Sequence, residues 1–146
     1  MARATFALPL NQQSEDVLKQ IATKANLYAN FVGFIEQSYD SYRREMFRYD
    51  FVTKPVERAR EPYAELSNRF KDLRNQAYFN LGSKARDEGK NLEALLYYRD
   101  AYRLSSFECG KDGSKNCARW HAEIEIQKLL RITKIQPYVT WQKKKE

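Results

Sequence analysis

Residues 14–50 read SEDVLKQIATKANLYANFVGFIEQSYDSYRREMFRYD. Ser14 followed by Glu15 and Asp16 is a helix start. The hydroxyl can accept from an otherwise unpaired amide, and the carboxylates complement the positive end of the helix dipole. Apolar residues then fall at Leu18, Ile21, Ala25, Tyr28, Val32, Ile35, Tyr39, Tyr42, Met46 and Tyr49, with gaps alternating between three and four. This heptad seam predicts one unbroken helix to about Asp50, roughly 55 Å long. Such a face needs a partner helix.

The partner follows directly in the chain. Pro55 and Pro62 bracket Val56–Glu61 and place the turnaround there, so a second helix is expected from Pro62, since proline suits a first helical position. Its apolar set is Tyr63, Leu66, Phe70, Leu73, Ala77, Leu81 and Ala85. Two matched seams read as a long antiparallel hairpin over 14–88. Gly89 stops the second helix, and Asn91 caps a third that runs to about Ser106. After the turn-rich stretch Gly110-Lys111-Asp112-Gly113-Ser114, a capping helix is expected over 115–132. Its turns are marked by Trp120, Ile124, then Gln127 or Lys128, then Leu130 or Arg131. Pro137 ends helical structure, Ile135–Trp141 reads as extended, and 133–146 forms a basic tail. The fold class is therefore all-α: one helical domain over 1–146, with an irregular start that contains Pro9.

Composition agrees. The 146 residues include only five Gly and four Pro, too few for the turns of a β-sandwich or barrel, and 14% are aromatic, which excludes a disordered chain. No apolar run approaches membrane-spanning length. The net charge of +7 is local: residues 1–73 hold 11 basic and 10 acidic side chains, whereas 115–146 hold 8 and 3. Cys109 and Cys117 are spaced to close a small disulfide loop, and two reduced thiols fit the spacing equally. The disulfide reading favours an exported or periplasmic location, with a leader already removed, over a cytoplasmic one. His121 lies four residues after Cys117, and these with Cys109 make three zinc ligands, one fewer than a structural site takes. No metal, cofactor or catalytic group is expected.

Residues 75–108 span 34 positions and carry a recognisable pattern. Tyr78 precedes Leu81-Gly82, Gly89 sits at a turn, and Ala94, Tyr98 and Ala101 form a small–aromatic–small series. This resembles one tetratricopeptide repeat, with Tyr78 in place of tryptophan and Ser106 in place of the closing proline. A lesser resemblance, in Ala94-Leu95 and Tyr98, is to the microtubule-interacting-and-trafficking domain. No second copy is present: 34 residues upstream, Phe47-Arg48 stand at the Leu-Gly positions. A single repeat needs neighbours to cover its faces, and the hairpin and the last helix supply them.

The repeat's first helix lines a concave groove in that family, so the resemblance places Gln76, Phe79, Asn80, Ser83 and Arg86 on a binding surface. Phe31, Phe34, Phe47 and Phe51 lie off the first seam and are further interface candidates. The function expected is non-enzymatic: an adaptor or assembly scaffold that holds another protein or peptide against aromatic helical surface, the long seam adding a tendency to self-association. The alternative is a basic helical nucleic-acid-binding module, in which Trp120, Tyr138 and Trp141 interleave with Lys143–Lys145.

Overall fold

The computed structural model describes residues 10–46, 48–104 and 118–133. A one-turn 3-10 helix, Leu10–Gln12, leads into four α-helices: α1 Glu15–Glu45, α2 Asp50–Asp87, α3 Asn91–Arg103 and α4 Ala118–Thr133. No strand occurs among the described residues, so the fold is all-α. None of the described helices is long and apolar enough to cross a membrane.

Helix α1 begins as its sequence requires, with Ser14 accepting from the Val17 amide at 3.4 Å. It ends earlier than the heptad pattern predicts, at Glu45, and the turn is made around 46–49. There the Tyr49 amide bonds the Met46 carbonyl, and the Val52 and Thr53 amides bond the Tyr49 carbonyl. Helix α2 thus starts at Asp50, not at Pro62, and both Pro55 and Pro62 lie inside it. Each proline removes one backbone bond and costs about 3 kcal/mol in a helix interior. Here the two helices are bridged by Arg43 with Glu57 at 3.1 Å, Arg60 with Glu36 at 2.8 Å, and Tyr39 stacked on Tyr63 at 5.7 Å. Farther down the pair, the Ser67 hydroxyl donates to the Ala29 carbonyl and Tyr28 meets Phe70. Rising numbers on α1 meet falling numbers on α2, so the two run antiparallel.

The buried stripe of α1 is Leu18, Ala22, Ala25, Ala29 and Val32, not the seam that includes Ile21 and Tyr28. On α2 the buried residues are Ser67, Arg74, Asn75, Ala77, Leu81, Gly82 and Ala85, while Leu66 is exposed. Size explains the shift. Alanines let the helix backbones approach, and a Cβ on Gly33 would lie only 3.6 Å from the Ser67 hydroxyl oxygen. Tyrosines on that line would hold the helices apart, so they sit on the flank.

At the other end, α3 folds back on α2 through Gly89, which has φ of +78°. Helix α3 stops at Arg103, short of Ser106, and α4 begins at Ala118 among the described residues. The core here is Ala85, Ala94, Tyr98, Ala101, Ala122 and Leu129. The inward residues of α4 are thus Ala122 and Leu129, while Trp120 and Ile124 face outward. Gly82 is required: a Cβ there would stand 2.8 Å from ring carbons of Tyr98. Arg74, almost wholly buried, joins three elements by donating to Asn26 of α1, to Asn75 and to the Leu104 carbonyl at the end of α3. Burial pushes its guanidinium below the usual value.

Candidate partner-binding surface

The residues expected to line a groove on α2 fall into two groups. Gln76 is exposed, and its carbonyl accepts from the Asn80 side-chain amide at 2.8 Å. Phe79, Ser83 and Arg86 are instead engaged within the fold. Phe79 meets the rings of Tyr98 at 5.3 Å and His121 at 6.1 Å. The Ser83 hydroxyl bonds the Phe79 carbonyl and the Tyr98 hydroxyl. Arg86 bonds Glu125 of α4 and, more loosely, Asp87. Partial burial opposes the Glu125 charge, but hydrogen bonds from Lys128 and Arg86 prevail and hold its carboxyl below the usual glutamate value. Helix α4 therefore rests across the upper part of this face and is fastened there by Arg86 and Glu125.

The exposed apolar surface lies on the hairpin. Leu27, Phe31 and Phe34 are 63%, 65% and 70% exposed. Their spacing of four and three, at about 100° per residue, puts them opposite the Leu18–Val32 stripe, on the outer side of α1. Over Ala25–Ile35 the chain carries no charged side chain. Beside this strip, Phe34, Ile35, Ser38, Tyr39, Tyr42 and Val56 line an open hollow of about 470 Å³ between α1 and α2. Aromatic rings also pair between the two helices, Tyr28 with Phe70 and Tyr39 with Tyr63, and at the tip Tyr49 and Phe51 lie 5.9 Å apart.

Phe31 and Phe34 thus belong to one surface, from which Gln76 and Phe79 are separate. Leu27 and Tyr42 belong to it as well. Leu27 shares a helical face with Phe31, a spacing visible in the sequence, and Tyr42 stands on the predicted seam but is exposed. Phe47, Cys109, Cys117, Tyr138, Trp141 and Lys143–Lys145 lie outside the described residues. Two smaller apolar pairs, Leu92 with Leu96 and Trp120 with Ile124, are exposed on α3 and α4.

No protein-family model, curated protein or solved structure matches this chain.

Proposed function

We propose that the protein is a non-enzymatic adaptor or assembly subunit that engages another protein through the aromatic flank of its hairpin. The observation that carries this reading is the strip Leu27, Phe31 and Phe34, turned away from the core on a stretch without charge. A solvent-facing helical surface ordinarily carries charged or polar side chains, and a contiguous apolar patch marks an interaction site. Large aromatics are the usual energetic centres of such contacts. The packing of Gly82 against Tyr98 supports the likeness of 75–108 to one tetratricopeptide unit. On this reading that unit serves as the base that carries the hairpin, and the hairpin makes the contact.

The test is a photo-crosslinking benzophenone side chain in place of Phe34, with the same group at exposed Lys54 as the control. The expected result is a specific protein adduct from position 34, absent from position 54 and persisting at high salt. Recovery of RNA or DNA, lost as salt rises, would replace this reading with the nucleic-acid one, because phosphate contacts weaken steeply with salt.

A further inference from the structure

The occupant of the hairpin surface is open to a narrower identification, one that rests on the interaction reading above. The outer strip of α1 is bounded by Lys24 at one end and Glu45 at the other, about 30 Å apart. Both are exposed, and neither makes an ion pair with a described residue. The charged groups between them face elsewhere: Glu36 bonds Arg60, and Asp40 bonds Arg43 and Arg44. What remains outward is Leu27, Asn30, Phe31, Phe34, Ser38, Ser41 and Tyr42, with unlike charges at its two ends.

We infer that this strip pairs with the same strip of a second copy of the chain, antiparallel, about a two-fold axis between Phe34 and Ile35. That register sets Lys24 against Glu45 of the other copy and Leu27 against Tyr42 of the other copy. It also sets Phe31 beside Ser38, at the mouth of the hollow lined by Phe34, Ile35, Tyr39, Tyr42 and Val56. A parallel pair would place Lys24 on Lys24 and Glu45 on Glu45, so charge selects the antiparallel one. Two-fold pairing uses one patch twice, which fits a self-complementary surface. Leu27, Phe31, Phe34 and Tyr42 offer roughly 500 Å² of exposed area per copy, at about 200 Å² for each full side chain. With Asn30, Ser38 and Ser41 this comes close to the roughly 800 Å² per partner of a stable interface.

Sedimentation equilibrium of the full chain tests it. Wild type is expected at twice the 17.3 kDa chain mass. Phe31→Arg is expected to weaken the dimer at least about hundredfold, because each copy loses a central anchor and gains an unpaired charge. Lys24→Glu and Glu45→Lys should each weaken it about three- to tenfold. The double variant Lys24→Glu/Glu45→Lys should restore wild-type affinity, which no effect on folding alone would do. A wild type that stays monomeric at every concentration overturns the inference. So does a dimer indifferent to Phe31→Arg, or a double swap that is no tighter than the single variants. A monomer whose residue-34 benzophenone still captures a different protein overturns self-pairing and leaves the adaptor reading in place. A dimer with the expected swap behaviour and no other cross-linked protein supports self-pairing and identifies the partner of this surface as a second copy rather than a different protein.

Discussion

The two ends of the hairpin are built on different principles. At the base, residues 18–32 of α1 and 67–85 of α2, with α3 and α4, exclude water almost completely from Leu18, Ala77, Tyr98, Ala101 and Ala122. In the arm, residues 33–66, no described residue is buried. The arm is held by ion pairs that remain partly open to solvent and by ring contacts on one flank, each a small contribution in water. Its length is out of proportion to what it buries. The base stabilises the fold, and the arm exposes aromatic surface beyond it.

Substitutions should sort by this division. The largest loss is expected for Tyr98→Ala, which empties the base core and removes the partner of the Ser83 hydroxyl. It should cost about 4 kcal/mol in denaturant unfolding. Arg74→Ala should cost about 2–3 kcal/mol, because the Leu104 carbonyl, Asn26 and Asn75 each lose a donor in a buried place. A next step down is Gly82→Ala, at about 1–3 kcal/mol, from the clash of the new methyl with the Tyr98 ring. If any of these three leaves the unfolding midpoint unchanged, the base is not the stabilising region.

Much of this division was legible in the chain, and the parts that were not have physical causes. Gly82, Ala94, Tyr98 and Ala101 identified the base, because a small residue facing a large one is a local pattern. The hairpin was legible from its apolar repeat, but not which side of the repeat faces inward. Leu18, Ala25 and Val32 serve both registers. Only the packed pair shows that alanines at 22 and 29 displace Ile21 and Tyr28 from the inside. Pro55 and Pro62 pointed to a turn because proline disfavours helix interiors. The helix nevertheless runs through both, paired with α1 by contacts distant in the chain such as Arg60 with Glu36. The resemblance places Phe79 on a groove, but α4 packs Ala122 and Leu129 into the base core and pairs Glu125 with Arg86, 39 residues apart in the chain, so it lies against Phe79.

Acid should act on that fastening. Glu125 has a folded-state pKa below its unfolded value, so its contribution is present above the ordinary glutamate range and is lost as pH falls through the depressed value. The protection of α4 against hydrogen exchange, taken relative to the intrinsic rate at each pH, should fall on acidification below that range, and Glu125→Gln should remove this part of the pH dependence. The smallest stability effect is expected in the arm. In protein dilute enough to be monomeric, Phe31→Ser with Phe34→Ser should move the unfolding free energy by no more than about 0.5 kcal/mol, since both rings are largely in water there. A loss like that of Tyr98→Ala would mean that the arm is core.

Hydrogen–deuterium exchange along the intact chain, at low and at high protein concentration, separates arm from base. Slow exchange is expected over 77–101 at both concentrations. Over 36–62 exchange should be faster by orders of magnitude in dilute protein, because that segment opens without disturbing the buried core. Residues 27–42 should gain protection as copies associate. Equal protection of arm and base in dilute protein, unchanged by concentration, would contradict the division between them.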